Sequence, residues 1–299
     1  MTSAAALIAS EACVAVPTET VYGLAADATS DRAVAAIYIA KGRPSFNPLI
    51  VHVADVAMAQ RLAHWSPTAL MLSDKFWPGP LTIVLPLRAD AGLASAVTAG
   101  LATVALRCPA HQAMQLLIAA TGKPLAAPSA NASGGVSPTT AAHVAATLAG
   151  RIPLIIDGGP CPGGLESTIL LVEGEKLRLL RPGPITAAMI ETAAARPVTG
   201  PRETDGIIAP GQLESHYAPG KPVLLDCTAP PLDAFMIGFG RLAGDFQLSP
   251  DGDLTEAAAR LYAALHAGRL SDRPRIAVAP IPQNGIGVAI NDRLRRAAV

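Results

Sequence analysis

The polar residues best suited to chemistry stand just outside short apolar runs. One such run ends in Pro17-Thr18-Glu19-Thr20-Val21-Tyr22-Gly23-Leu24, which packs two hydroxyls, a carboxylate and a phenol beside a glycine that permits close backbone approach. Lys41-Gly42-Arg43-Pro44, with Asn47 and His52 behind it, is a cation-rich turn suited to phosphate or carboxylate. Read alone, it also fits an ordinary helix C-terminus whose basic residues complement the dipole. Thr103 and Arg107 are in phase on one strand and can face the same side of a sheet. Ala127-Pro128-Ser129-Ala130-Asn131, followed by Ser133 and Ser137, offers hydroxyls and an amide, and would equally suit a plain turn. Glu166-Ser167-Thr168 precedes a further run and Arg181-Pro182-Gly183 ends the next. None of these motifs is decisive singly.

The elements that must position them alternate. Valine-, isoleucine- and leucine-rich runs at Cys13 to Val16, Leu49 to Val53, Leu81 to Leu87, Thr103 to Arg107, Leu125 to Ala127, Leu154 to Ile156, Thr168 to Val172 and Leu177 to Leu180 read as strands. Alanine-rich segments at Asp31 to Ala40, Pro67 to Phe76, Ala110 to Ala120, Thr140 to Leu148 and Thr186 to Ala195 read as helices, the first capped by Ser30. The alternation predicts an α/β fold with ligands at strand ends. Between Pro197 and Pro222, five prolines and four glycines exclude a regular element. A catalytic domain over 1–200, a linker over 201–220 and a small domain over 221–299 are therefore expected. The last holds strands at Val223 to Asp226 and Arg275 to Pro280 and helices at Leu254 to Ala267 and Val288 to Ala297.

The chain has 299 residues, 51% hydrophobic and 15% charged, enough for a large core. Its 23 basic residues cancel 23 acidic ones, which excludes a nucleic-acid-coating protein, and 5 Phe, 2 Trp and 4 Tyr are too few for a base-stacking ladder. Any RNA contact should be local and weak. The N-terminal apolar run lacks a leading cation and is broken by Glu11, so neither a signal peptide nor a membrane anchor is expected, and the location read is cytoplasmic. Cys13, Cys108, Cys161 and Cys227 lie too far apart for a zinc motif and read as reduced, buried thiols. Walker, Gly-x-Ser-x-Gly and His-Glu-x-x-His signatures are absent from the sequence. In Gly238-Phe239-Gly240 the next glycine, Gly244, falls one residue late for a dinucleotide fingerprint, so a glycine-rich turn is the better reading.

Together the motifs resemble the threonylcarbamoyl-adenylate synthases of the YrdC type, in their long two-domain form. The resemblance rests on Pro17 to Leu24, Lys41 to Pro44 with Pro48 to His52, Pro128 to Asn131, Glu166 to Thr168, Arg181 to Gly183 and Ser215-His216-Tyr217. It extends to Ile281-Pro282, Gly285-Ile286-Gly287 and Asn291-Asp292-Arg293-Leu294 in a C-terminal domain shorter than is usual in the family. It implies a twisted mixed YrdC-like sheet with flanking helices, plus a smaller Rossmann-like α/β domain. It also implies a nucleotidyltransferase that joins L-threonine, bicarbonate or carbon dioxide, and ATP into threonylcarbamoyl-adenylate and pyrophosphate. A downstream transferase would use that product to modify tRNA beside the anticodon.

Carried over residue by residue, the resemblance implies threonine contacts at Thr20, His52, Arg107, Ser167 and the backbone of Ala127. It implies ATP contacts at Arg43, Asn47, Thr103, Ser129, Ser137, Arg181 and Tyr217, with Lys41 and Arg43 as the catalytic cations. Mg²⁺ would ride on the triphosphate, without a carboxylate cage from the protein. No strong general base is apparent, His52 and Glu19 being the candidates, so catalysis by positioning and electrostatics is expected. His64, His111, His143 and His266 are expected at the surface. Tyr217 would make 201–220 a lid over the nucleotide. Two other readings compete: a non-catalytic YrdC-like module that binds RNA or nucleotide, and the related carbamoyl-transferring domain of much longer chains with zinc-binding and acylphosphatase segments.

Overall fold

The computed structural model describes residues 1–200, 209 and 216–298, so most of the expected 201–220 lid lies outside the described residues. A nine-stranded mixed sheet is formed by β1 (Val14–Val16), β2 (Gly23–Asp27), β3 (Ile50–His52), β4 (Leu81–Pro86), β5 (Thr103–Arg107), β6 (Leu125–Ala126), β7 (Thr168–Glu173), β8 (Lys176–Arg181) and β9 (Val198–Thr199). Its order is β1-β2-β6-β3-β5-β4-β7-β8-β9. The helices of this part are α1 (Thr2–Ala9), α2 (Asp31–Lys41), α3 (Val56–Gln60), α4 (Pro67–Phe76), α5 (Ser95–Thr98), α6 (Gln112–Thr121), α7 (Ala141–Leu148) and α8 (Ala187–Ala194).

Local chemistry sets the elements that matter for the site. Ser30 accepts from the Ala33 amide, Asp31 lies in the first turn of α2, and Gly42 closes the helix in the left-handed conformation at φ 62°. That cap turns the chain so that Lys41 points inward and Arg43 begins the next loop. β4 is buried at every position but its last, as its continuous apolar run predicts. The parallel register of β3 on β5 sets His52 beside Arg107.

Several expectations about strands fail. β9 pairs with β8 inside the Pro197 to Pro222 stretch expected to hold no regular element, and the strands Ala234–Gly238 and Phe246–Gln247 lie outside the expected ones. Leu154 to Ile156 makes only a single bridge, Ile155 to Ala15: the segment lies parallel beside the middle of β1, with the Ala15 amide on the Leu154 carbonyl at 3.0 Å and the Ile156 amide on the Ala15 carbonyl at 2.9 Å, and the pairing goes no further. β2, whose Gly-Leu-Ala-Ala-Asp sequence has little strand character, is held extended by antiparallel partners on both sides, β1 and β6. The histidine expectation also fails in part. His266 is buried, stacks on half-buried His143 at 3.8 Å between ring centres, and sets Nε2 3.1 Å from the Ser137 carbonyl oxygen.

The C-terminal domain is a parallel four-stranded sheet of β10 (Val223–Leu224), β11 (Ala234–Gly238), β12 (Phe246–Gln247) and β13 (Arg275–Val278), with α9 (Leu254–Leu270) and α10 (Gly287–Ala297). Its order is β10-β13-β11-β12. The chain turns straight after β11, where Phe239 and Leu242 form a bridge, so the Gly238 to Gly244 run is a turn as expected. The two domains share a core: Val21, Val136 and Leu165 of the first pack in one apolar cluster with Leu261, Tyr262, Leu265 and Ile290 of the second. Among the described residues, no helix is long and apolar enough to cross a membrane.

Candidate active site

The sheet topology brings the separated motifs to one cavity that opens to solvent. Thr18, Thr20, Arg43, His52, Arg107, Ala127, Ser129, Ser167, Arg181 and Tyr217 line it, with Glu166 and His216. Lys41, Asn47, Ser137 and Thr103 do not.

The loop after β1 is folded by its own hydroxyls. Thr18 Oγ1 donates to the Val21 carbonyl at 2.7 Å and accepts from the Thr20 amide at 3.1 Å, and the two threonine hydroxyls are 2.8 Å apart. This turn presents Thr20 to Arg107, whose Nη1 donates to Thr20 Oγ1 at 2.9 Å. The other Arg107 nitrogens are also held: Nε donates to the Gly79 carbonyl at 3.2 Å, and Nη2 to Glu19 Oε1 at 2.5 Å. A guanidinium carries five N–H donors, so these three bonds fix the fork and leave two N–H groups for a ligand carboxylate. Beside it His52 is buried and its Nδ1 has no partner. Burial, reinforced by the Arg107 charge, pulls the imidazole pKa down to about 3, so it is neutral at physiological pH and can accept a hydrogen bond.

A second cation group faces the same space. Arg43 is anchored through Nε to the Asn47 carbonyl at 3.2 Å and through Nη2 to the Pro48 carbonyl at 2.9 Å. Burial draws its pKa down to about 10, which leaves it charged. Buried Arg181 donates to the Ser167 carbonyl from Nε at 3.1 Å and from Nη2 at 2.9 Å, while Ser167 Oγ pairs with Thr82 Oγ1 at 2.7 Å. Each of these bonds again leaves guanidinium N–H groups over.

Lys41 differs from its expected role as a phosphate contact. Its buried Nζ donates to the carbonyls of Ser129 at 2.6 Å and Asn131 at 2.5 Å, so it clamps the loop that presents Ser129. Burial first, and the Arg43 charge second, push its pKa well below that of an ordinary lysine. Asn47 is buried with Oδ1 unpartnered, one shell behind Arg43. Thr103 sits at the opposite end of β5 from Arg107, against Pro86. Ser137 donates to Glu166 Oε1 and so reaches the cavity through that carboxylate.

Sequence reasoning gave no role to Glu166 or His216, or to Tyr262 and Arg293 behind them. Glu166 accepts from Tyr262 Oη at 2.8 Å and from Arg293 Nε at 2.8 Å. Tyr217 is fully buried at φ 69°, unusual for a residue with a side chain, and its hydroxyl has no partner. Its ring lies 5.6 Å from Tyr262, and the Arg293 guanidinium lies 5.5 Å above it. The adjacency of His216 and Tyr217, and the Asn291-Asp292-Arg293-Leu294 motif, were the available signals; Tyr262, 96 residues from Glu166, offered none.

Comparison with known proteins agrees with this geometry. Residues 6–183 match the family profile described as telomere recombination, which groups Sua5, YciO and YrdC, and residues 185–299 match the threonylcarbamoyl-AMP synthase C-terminal domain. The chain is 43% identical to the threonylcarbamoyl-AMP synthase of Bacillus subtilis, over 99% of this chain and 92% of that one. It is 38% identical to that of Pyrococcus abyssi, over 99% and 93%. The crystal structure of P. abyssi Sua5 complexed with L-threonine superposes with a TM-score of 0.91 at 36% identity, covering 99% of this chain and 93% of that one. Full-length HypF, at 20% identity and a TM-score of 0.53 over 60% of this chain and 29% of its own, shares the fold of the first domain alone. With both of its domains matched and its motifs gathered at one cavity, the chain belongs to the threonylcarbamoyl-AMP synthase family, and it is a nucleotidyltransferase of tRNA threonylcarbamoyladenosine modification.

Proposed function

We propose that the cavity holds L-threonine at Arg107 and the ATP triphosphate between Arg43 and Arg181, and that bicarbonate enters as the third substrate. The observation that carries this reading is the pair of separately anchored cation groups on one cavity, each with N–H donors to spare. Arg107, Thr20 and Ser167 orient threonine, the first through its carboxylate. Neutral His52 accepts from the amine without repelling it. The threonine ammonium gives up one proton to solvent, and the free amine attacks the bicarbonate carbon; the N–C bond forms, the bicarbonate hydroxyl leaves as water with a second amine proton, and the carbamate results. A carbamate oxygen then attacks the α-phosphorus, the bond to the β-phosphate oxygen breaks, and pyrophosphate leaves. Arg43 and Arg181 stabilise charge on the phosphoryl oxygens, and Lys41 fixes the Ser129 loop beside them.

Mg²⁺ would supply further neutralisation on the triphosphate when bound. The donors present fit an ion carried by the nucleotide: Glu166 is occupied by Arg293 and Tyr262, Glu19 gives one oxygen to Arg107 and does not line the cavity, and hydroxyls and carbonyls make up the rest. Among the described residues, no group of three or more His, Cys, Asp or Glu side chains could hold a metal. The domain limits 1–200 and 221–299 with a linker between them, a cytoplasmic location and delivery of the labile product to a tRNA-modifying transferase belong to the same reading.

Calorimetry with L-threonine and its methyl ester tests the site. Loss of a charge-assisted pair at Arg107 should make the ester about 100-fold weaker, ~3 kcal/mol. Equal affinities would move the amino acid away from Arg107.

A further inference from the structure

Among the described residues, Glu166 is the one acidic side chain in the cavity wall, and the group that neutralises it comes from the other domain. Gly164, two residues earlier, makes the approach possible: a Cβ there would lie 2.4 Å from Ala259 Cα of α9. The contact sets Tyr262 Oη on both carboxylate oxygens, at 3.0 and 2.8 Å. From α10, Arg293 donates Nε to Oε2 at 2.8 Å and is itself steadied by Nη1 on Asp292 Oδ2 at 2.6 Å. Arg293 is wholly buried, and its Nη2 has no partner. Glu166 also accepts from Ser137, and it feels Arg181, which lines the same cavity. Burial alone would protonate this carboxyl, but the Arg293 and Arg181 charges outweigh burial and hold its pKa at about 2.

We propose that Arg293 of the C-terminal domain is a positioning residue for the nucleotide: by neutralising Glu166 it leaves Arg181 free for the triphosphate and orients Ser137. The proposal deepens the nucleotide reading above and rests on it. Without Arg293, the buried Glu166 carboxylate has Arg181 as its remaining cation. Arg181 is then drawn from the phosphates, which meet an uncompensated negative charge instead. Threonine, at the Arg107 end, is left alone. The C-terminal domain thus completes the charge balance of the site.

The test is calorimetric binding of a non-hydrolysable ATP analogue and, separately, of L-threonine to the full chain and three variants. Arg293→Met should weaken the nucleotide at least about tenfold, because one partner of a buried charge pair is left alone, with threonine affinity within about twofold. Arg293→Lys, which keeps the charge, and Glu166→Gln combined with Arg293→Met, which removes both charges, should stay within about threefold of wild type. The proposal is overturned if Arg293→Met binds nucleotide normally, if both ligands weaken together, or if the double variant is as weak as the single one. Should Arg293→Met fail to fold, the double variant decides: normal nucleotide binding supports the proposal and a tenfold loss overturns it. Wild-type protein that binds threonine but no nucleotide would instead overturn the nucleotide reading, and the proposal with it.

Discussion

Replacing Arg107 with methionine should lower kcat/KM for L-threonine about a thousandfold, ~4 kcal/mol, in steady-state pyrophosphate release. The expectation follows from how the side chain is held. Three of its N–H groups are spent on Gly79, Thr20 and Glu19, and the remaining two form a fixed fork beside neutral His52. Methionine removes the fork and also leaves the Glu19 carboxylate unpaired in a largely buried place, so threonine would meet a negative charge where it needs a positive one. The apparent KM for ATP should stay within about threefold, because Arg43 and Arg181 are anchored independently. A variant with unaltered threonine dependence would contradict this placement, as would one that loses ATP and threonine affinity alike.

Gly164→Ala should be strongly destabilising, because strained backbone and a backbone clash coincide at that position. Gly164 has φ 68°, and an added Cβ would stand 2.5 Å from both the Ala258 and Ala259 carbonyl oxygens, backbone atoms of a seventeen-residue helix that cannot yield locally. Relief requires α9 to move off the catalytic domain, opening the core shared by Leu165, Val21 and Tyr262 and parting Glu166 from its partners. A loss of about 4 kcal/mol or more is expected from overpacking and strain together. Gly174→Ala is the control: its φ is 62°, but nothing lies within 4 Å of the added atom, so only the conformational cost of about 1 kcal/mol applies. Denaturant unfolding of both variants measures the difference. Equal losses would show that backbone conformation, not the helix contact, governs Gly164.

Much of this arrangement could be read from the chain before the fold was seen, where local physics decides. α2 has its cap, its acidic first turn and its terminal glycine in the sequence, and β4 and β7 are continuous apolar runs. The polar motifs after β1 and α2 and at the ends of β5 and β8 converge because an α/β sheet gathers strand ends. What was not legible depends on tertiary partners. β2 is a strand because two neighbours hold it, and Leu154 to Ile156 is not one because its pairing with β1 is a single bridge at Ala15. Lys41 reads as a phosphate cation until its Nζ is seen bound to two carbonyls of another loop. The partners of Glu166 lie 96 and 127 residues away, and although Arg293 stands in a motif quoted for the family, nothing local in the chain joins it or Tyr262 to Glu166.

The most direct test of the central claim is pyrophosphate release from Mg·ATP by the purified full chain, with L-threonine and bicarbonate each present or omitted. The account predicts release that requires both, because the attacking oxygen belongs to a carbamate built from the two. Release that persists without either, or no release with both present, would contradict it and favour a nucleotide- or RNA-binding role for the same cavity.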